Sequence, residues 1–289
     1  MRRRDFIVSG SAVLAAAFLA PKMVFAADSK AVGLQLYSLR DELPKDVKGT
    51  IEKVAKAGFK EVETYGFSIK NQFWGMTPAE FKKLLDANGL KSPSGHFSLG
   101  SYLVDGNTDE LKASIAAAKV LKSEYVTIPW LDQSIRKSAE DYKKIAAKMN
   151  AAGKMCKAAG LKLAYHNHNF EFEKFGEVTG YDILLKETDK ALVDFELDLY
   201  WAVRSGNDPI KLFKAHPGRF TMWHVKDMDK ANPALNAEVG TGSIDFKAIF
   251  AQAKLSGMRH FFVEHETNYK PNPMASVAAS CAYIKKSIL

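Results

Sequence analysis

One short phrase recurs along the chain: a helix-like stretch ends at a glycine, and an apolar strand-like run follows at once. The phrase occurs at Ala57-Gly58-Phe59, Asn88-Gly89-Leu90, Ala159-Gly160-Leu161 and Ser256-Gly257-Met258. Glycine adopts the left-handed backbone conformation at little cost, so it marks the end of a helix. The successive glycines are 31, 71 and 97 residues apart, close to multiples of about 32–35 residues, the length of one strand-plus-helix unit. The spacing predicts a chain of repeated βα units.

Eight strand-like runs alternate with helix-like stretches from Val32 to the end of the chain. We expect strands near 32–37, 60–65, 91–97, 124–129, 161–168, 191–199, 219–226 and 259–265, with helix starts at Thr77-Pro78, Ser138-Ala139-Glu140 and Asp208-Pro209. Such alternation gives parallel strands covered by helices, as a closed barrel or an open sheet. An open sheet usually carries a glycine-rich loop after its first strand, and here that strand ends in Tyr37-Ser38-Leu39-Arg40. A single α/β domain, a (β/α)8 TIM barrel over residues 28–289, is therefore favoured.

Residues 1–27 have the anatomy of a cleavable signal peptide. Basic residues at 2–4 precede an apolar run too short for a transmembrane helix, and small residues follow near Ala26. The sequence RRDFI at 3–7 resembles a twin-arginine export signal; an ordinary secretory signal or an uncleaved anchor is the alternative. We expect an exported, periplasmic protein that has no membrane segment once the signal is removed.

Charge and cysteine content narrow the classes of partner. The formal net charge is +8, and residues 1–26 contribute +3 of it. The other lysines are spread along helix-like stretches without a cluster of basic and aromatic residues, which argues against nucleic-acid binding. Cys156 and Cys281 lie far apart in helical patterns and are expected to be buried free thiols rather than a disulfide or metal ligands.

Ionisable residues gather at the predicted carboxyl ends of the strands, where barrel enzymes carry their sites. Several stand two positions apart and so share a strand face: His166 and His168, Glu196 and Asp198, His224 and Lys226, Glu264 and Glu266, with Glu61 and Glu63 on the second strand and His96 ending the third. Taken singly, each has a structural interpretation; Glu61, for example, could pair with a base at the barrel bottom. Carboxylates about 4 Å apart repel by roughly 4 kcal/mol at an effective dielectric near 20. Protonation or Lys and Arg partners could relieve that repulsion, but with histidines present a divalent transition metal is the simplest solution.

Three aromatic residues near the same strand ends are candidates for binding substrate: Tyr37, Trp130 and Trp201. Their rings could pack against the core or the barrel rim. They could also stack on a sugar ring, which presents apolar C–H faces beside its hydroxyl groups.

Five motifs resemble the sugar phosphate isomerase/epimerase family of the xylose isomerase-like TIM-barrel superfamily. They are LQLYSLRDE (34–42), YHNHNFEF (165–172), LDLYWA (197–202), HVKD (224–227) and FVEHE (262–266), in the family's order. The resemblance implies one divalent metal ion (Mn, Co, Zn or Fe), with Asp198, His224 and Glu264 as three of its ligands. His166 stands where many members have glutamate and is implied as the fourth ligand; His168 in its place, or a three-ligand site, are the alternatives.

The chemistry that the resemblance implies is proton abstraction next to a sugar carbonyl, through an enediolate. Glu264 is implied as one acid–base group, a second base would be His168, His96 or Glu63, and Lys226 would hold a substrate oxygen. The first hypothesis is a sugar isomerase or epimerase. The alternative is a lyase or hydrolase of 3-keto-glycosides, which export favours over phosphorylated sugars, and the third is a sugar-binding barrel without activity. We expect a small carbohydrate as partner and no nucleic acid, and a homo-oligomer is compatible with the sequence.

Overall fold

Eight parallel strands close into a barrel in the computed structural model, which describes residues 31–289; the predicted signal peptide lies outside the described residues. The strands are β1 Gly33–Gln35, β2 Glu61–Phe67, β3 Lys91–Phe97, β4 Tyr125–Ile128, β5 Lys162–His166, β6 Val193–Asp198, β7 Met222–Val225 and β8 His260–Val263. Their order around the barrel is β1-β8-β7-β6-β5-β4-β3-β2, and β1 pairs with both β2 and β8. The predicted α/β barrel is confirmed, with an observed strand in each predicted range.

The helices follow the strands as the βα repeat predicts. They are α1 Val47–Lys56, α2 Pro78–Ala87, α3 Gly100–Asp105, α4 Asp109–Leu121, α5 Ala139–Ala158, α6 Gly180–Glu187, α7 Leu199–Arg204, α8 Pro209–Ala215, α9 Phe246–Phe250, α10 Ala253–Ser256 and α11 Pro273–Ser287. The side chains of Thr77, Ser138 and Asp208 cap α2, α5 and α8 by accepting backbone N–H groups, as predicted. The four recurring glycines have φ values of +97°, +65°, +79° and +84°, so the helix stops are confirmed.

Six of the eight strands end one or two residues earlier than the sequence pattern predicts, and at two of these ends, those of β5 and β7, a buried carboxylate binds the backbone of the loop that follows. β5 ends at His166 rather than 168, because the N–H of His168 donates to Glu171 Oε2 at 2.8 Å instead of continuing the ladder. β7 ends at Val225. Next to it, the Asp227 carboxylate accepts N–H groups of the loop that follows, including those of Gly240 at 2.9 Å and Gly242 at 3.0 Å. The residues directly after these strands therefore belong to shaped loops at the mouth.

The barrel interior is layered, and its lower layers support the site. Met222 and Phe262 lie two positions before His224 and Glu264 on the same strand face, and they form a buried apolar cluster with Tyr125 and Ala164. At the opposite end of the barrel from the mouth, His260 Nδ1 lies 2.9 Å from Glu61 Oε2. Glu61 is thus a partner in a buried ion pair at the barrel bottom, the structural alternative raised for it.

Two further features concern the chain as a whole. Cys156 and Cys281 are both buried and free, as predicted. Within residues 31–289, no helix is long and apolar enough to cross a membrane.

Candidate active site

The residues of the candidate site meet because they are register partners on neighbouring strands. His166 on β5 is paired with Glu196 on β6, and Asp198 on β6 is paired with His224 on β7. Register partners on neighbouring parallel strands are separated by about 4.8 Å, the distance between the strands. Glu264 directly follows β8, and ligand atoms of Asp198, His224 and Glu264 all lie within 4.8 Å of one another.

We call Asp198, His224 and Glu264, together with His166 beside Asp198, the upper group. Its atoms have the spacing of a metal site. Asp198 Oδ2 is 3.9 Å from His166 Nε2 and 4.0 Å from His224 Nδ1, and His224 Nδ1 is 3.1 Å from Glu264 Oε2. Ligand atoms about 2.0–2.2 Å from one ion lie at most about 4.4 Å apart. Asp198 Oδ2 is buried without a hydrogen-bond partner in the described part of the chain, which is costly for a carboxylate oxygen. Asp198, His224 and Glu264, with His166 Nε2 next to Asp198, therefore offer imidazole and carboxylate donors that fit a divalent transition metal.

Burial and neighbouring charges set the protonation of this group. Burial raises the pKa of Asp198 to about 7 against the effect of Lys226. The same burial effect on Glu264 is outweighed by the charges of Lys226 and His224, so the pKa of Glu264 falls below its usual value. Burial, reinforced by His224, holds the pKa of His166 well below 6.5. His166 is therefore a neutral imidazole, the form that binds a metal.

A deeper layer of two buried glutamates orients the histidine rings. His224 Nε2 lies 2.7 Å from Glu63 Oε2, and His166 Nδ1 lies 3.2 Å from Glu196 Oε2. His96 Nε2 bridges the two carboxylates at 3.1 Å from Glu63 and 2.8 Å from Glu196. Carboxylates that hold the far nitrogen of a ligand imidazole fix its tautomer and orientation. Glu63, proposed from the sequence as a base, lies behind His224 and outside the cavity lining.

The residues of the deeper layer, with two histidines of the upper group, are also close enough to one another to be considered as metal ligands. Ligand atoms of His96, His166, Glu196 and His224 lie within 4.8 Å of one another. In both groups, histidine nitrogens lie at hydrogen-bonding distance from carboxylate oxygens, and each group has one buried carboxylate oxygen without a hydrogen-bond partner among the described residues, Asp198 Oδ2 in the upper group and Glu196 Oε1 in the deeper layer. The upper group is the set of ligands that the family resemblance implies.

Lys226 provides positive charge to the carboxylates that follow β8. Its Nζ contacts Glu266 and lies 3.2 Å from Glu264 Oε2. Although burial opposes it, the charges of Glu264 and Glu266 raise the pKa of Lys226 above its usual value. Lys226 stands behind these glutamates, packed 5.3 Å from the ring centre of Tyr200 and 5.5 Å from that of Trp201.

A cavity of about 450 Å³ opens at this mouth of the barrel. Its lining joins predicted catalytic residues to all three predicted aromatic residues and adds several that the sequence did not single out: Tyr37, Tyr65, Gly66, Phe67, His96, Ser98, Pro129, Trp130, His166, His168, Trp201, Glu264 and Glu266. A concave site with a few convergent polar groups among aromatic walls is the usual form of a small-molecule site.

His168 is held in the cavity wall by aromatic neighbours. Its ring centre lies 4.8 Å from Trp130 and 5.8 Å from Trp201, and its ring is stacked on Phe170. Within residues 31–289 its Nδ1 has no hydrogen-bond partner. Burial, assisted by the charge of Lys226, lowers the pKa of His168 to about 3. The imidazole is therefore neutral.

Comparison with known proteins identifies the family. The sequence model of the xylose isomerase-like TIM barrel matches residues 51–287. The chain belongs to this family. The inosose dehydratase of Clostridium botulinum is 24% identical over 278 residues, which cover 82% of this chain and 88% of that protein. A sugar phosphate isomerase/epimerase from Parabacteroides distasonis is 29% identical with a TM-score of 0.78, covering 90% of this chain and 99% of its own. The IOLI protein with a bound zinc atom, at 15% identity and a TM-score of 0.68 over 89% of this chain and 98% of its own, shares the fold.

Two positioning residues of this xylose isomerase-like barrel were missed from the sequence. Asn167 Oδ1 accepts the N–H of Asp198 at 3.1 Å, and it thereby ties the loop after β5 to the end of β6. Glu171 is fully buried, accepts a hydrogen bond from the Tyr165 hydroxyl, and also accepts the N–H of His168. Both lie within the motif YHNHNFEF, but a polar residue in a motif does not by itself reveal that its side chain is buried.

Proposed function

We propose that this xylose isomerase-like barrel is a metal-dependent lyase that eliminates a leaving group from the carbon β to a ring ketone, in a keto sugar or keto-cyclitol. The proposal rests on one observation: the cavity wall contains a histidine on one side and glutamates on the other. A neutral histidine, His168, faces a site whose carboxylates, Glu264 and Glu266, both come from the end of β8. His166 stands where many relatives have the second glutamate.

The metal-binding part of the proposal rests on the upper group. His166, Asp198, His224 and Glu264 would hold the ion, and the unpartnered Asp198 Oδ2 supports this assignment. A divalent ion bound there supplies a Lewis acid that polarises a carbonyl and acidifies the neighbouring C–H bond. Mn, Co, Zn and Fe all suit mixed imidazole and carboxylate ligands.

One base is sufficient for the proposed elimination. His168 removes the proton from the carbon next to the ketone, and the C–H electron pair forms the new C=C bond as the β C–O bond breaks. The proton on His168 then passes to the departing oxygen, so the products are an unsaturated ketone and water or an alcohol. No co-reactant is consumed. The glutamates after β8 stay paired with Lys226, which limits the build-up of negative charge beside the substrate.

Isomerisation is the second candidate, and two observations bear on the choice. Epimerisation through two glutamates on opposite faces lacks its second carboxylate here, whereas single-base isomerisation does not need one. The Parabacteroides distasonis relative supports isomerase or epimerase chemistry by its name. The inosose dehydratases, which match across most of their length, support elimination, because loss of water from an inosose is this reaction.

The experiment that tests the function follows the fate of one proton. Purified protein loaded with each of the four metals is incubated in D2O with an inosose and with keto sugars, and the products are analysed by mass spectrometry. Loss of one water from the substrate supports elimination. Deuterium uptake at the α carbon without loss of water supports isomerisation instead, and neither change with any substrate contradicts both enzymes. Asp198→Ala and His168→Ala serve as inactive controls.

A further inference from the structure

We propose that the mouth of the barrel contains a second binding site, an aromatic slot formed by Tyr37, Tyr65, Trp130 and Trp201, which holds a ring-bearing leaving group. The substrate would then be a two-ring molecule, a keto-glycoside, rather than a free keto sugar. The inference rests on the proposed elimination and specifies its leaving group.

The strand order places the walls of the aromatic slot on opposite sides of the mouth. Tyr37 follows β1 and Tyr65 lies on β2, whereas Trp130 follows β4 and Trp201 lies in α7, directly after β6. In the closed order of the eight strands, β2 and β6 are separated by half the barrel. Tyr65 and Trp201 therefore lie on opposite sides of the opening, with Tyr37 next to Tyr65 and Trp130, after β4, between the two sides, so that a flat ring entering it meets aromatic side chains on more than one side.

The rim of the slot is unusually exposed for aromatic residues. Tyr37 is 38% and Trp130 is 51% accessible, and they are the aromatic members of the exposed large hydrophobic residues in the described chain. Both line the cavity.

An arginine supports each exposed ring from outside the cavity lining. The Arg40 guanidinium lies 4.9 Å from the ring centre of Tyr37 and donates to the Glu266 carbonyl at 2.9 Å. The Arg136 guanidinium lies 5.8 Å from the Trp130 ring centre, and its Nε donates to the Leu131 carbonyl at 3.1 Å. The rings are thus fixed before a ligand arrives, which lowers the entropy cost of binding.

The size and polarity of the cavity agree with a neutral second ring. A volume of about 450 Å³ falls in the range of about 300–1,000 Å³ that accommodates drug-sized ligands. The metal-site residues and His168 occupy the inner end, which leaves the outer end for another group. Within residues 31–289, no lysine or arginine lines the cavity, so the lining offers no ammonium or guanidinium partner for a phosphate.

A ring-bearing leaving group changes the outcome but not the steps of the reaction. In a glycoside with its ketone two carbons from the anomeric carbon, the glycosidic oxygen is on the β carbon. Removal of the proton between them forms the C=C bond, breaks the glycosidic C–O bond and releases the aglycone as an alcohol, which takes up the proton from His168. The products are an unsaturated keto sugar and a free alcohol, and no other reactant is required.

The test compares leaving groups on a common keto sugar. We expect kcat/KM for a benzyl 3-keto-glucoside or a 3-keto-disaccharide, whose leaving groups are alkoxides like that of the methyl compound, to exceed that for the methyl 3-keto-glucoside by about tenfold or more. In Tyr37→Ala and Trp130→Ala this ratio should fall about three- to tenfold, the contribution of one aromatic contact. Ile69→Ala, which alters an equally exposed apolar residue outside the cavity, should keep the ratio. Preference for the benzyl compound over the disaccharide would indicate an aromatic aglycone, and the reverse a second sugar.

The outcomes separate this inference from the proposed function. Equal kcat/KM on methyl and two-ring substrates, with the ratio unchanged in the slot variants, would overturn the aromatic slot while leaving the lyase intact. If no substrate is turned over, the aromatic slot can still be tested by equilibrium binding. Binding of unreactive phenyl and methyl glucosides is then followed by tryptophan fluorescence. Tighter binding of the phenyl compound that is lost in Trp130→Ala supports the slot, and equal binding contradicts it.

Discussion

Asp198 and His224 are register partners on β6 and β7, yet Asp198 Oδ2 and His224 Nδ1 stay 4.0 Å apart. That separation is too long for a hydrogen bond, although both side chains are fully buried. The two atoms are arranged around a common point, with Glu264 Oε2 as a further neighbour of His224. This arrangement is the basis of the first prediction.

The purified protein is expected to contain about one divalent ion per chain, and Asp198→Ala and His224→Ala are expected to lose it. Each substitution removes one of the facing ligand atoms, and elemental analysis measures the loss. Asp86→Ala, which alters an exposed carboxylate paired with Lys82, is the matched control and should retain the ion. A wild-type protein that stays free of metal after incubation with Mn, Co, Zn and Fe would contradict the assignment.

We expect His166 to be a metal ligand and His168 to be the general base. His166→Ala is expected to weaken metal affinity, because Nε2 faces Asp198 Oδ2 at 3.9 Å. His168→Ala is expected to keep the metal but lower kcat by about 10²–10⁴-fold, the usual contribution of a general base. Metal titration and steady-state kinetics on both variants check this. Metal lost from His168→Ala and kept by His166→Ala would reverse the two roles.

Removal of the Tyr165 hydroxyl should destabilise the loop after β5. Tyr165→Phe leaves the fully buried Glu171 carboxylate without its side-chain donor, so we expect a loss of about 1–3 kcal/mol in the free energy of unfolding. Urea denaturation measures it. Tyr102→Phe, which removes a hydrogen bond to the Lys148 carbonyl, gives the scale of an ordinary neutral bond, about 1 kcal/mol. A smaller loss for Tyr165→Phe than for Tyr102→Phe would show that Glu171 does not depend on Tyr165.

Stability is expected to fall at alkaline pH through the ion pair at the barrel bottom. Although burial acts against it, the neighbouring carboxylates of Glu124 and Glu61 raise the pKa of His260 from 6.5 to about 9. A raised pKa means that the folded state binds the proton more tightly, so this stabilisation is complete below pH 6.5 and is lost as the pH rises through about 9. We expect a decline of about 1–3 kcal/mol.

The variant His260→Gln isolates this effect. Its free energy of unfolding, measured by urea denaturation at several pH values, should change less across the same window than that of the wild type. His216 is the control, because burial lowers its pKa; His216→Gln should therefore keep the alkaline decline. An identical decline in His260→Gln would assign the effect to other groups.

The barrel was predictable because its signals are local. A glycine at a helix end acts within a few residues, and strand alternation requires only the chain on either side of it. The same alternation predicted that His224 shares a strand face with Lys226, and Glu264 with Glu266. The second layer was not predictable in this way: Glu63 and His224 are 161 residues apart, and only the closed barrel brings their side chains together. The exit of His168 from β5 depends on the burial of Glu171, which periodicity does not reveal.

The closure of the barrel by β1 and β8 has a consequence for how the protein is made. Glu264 and Glu266 follow directly after β8, and this strand pairs with β1. A nascent chain therefore carries His166, Asp198 and His224 before Glu264 has been synthesised. The complete set of candidate metal ligands exists only after β8 has been translated. The compartment in which the finished chain first folds then decides which ions compete for the site.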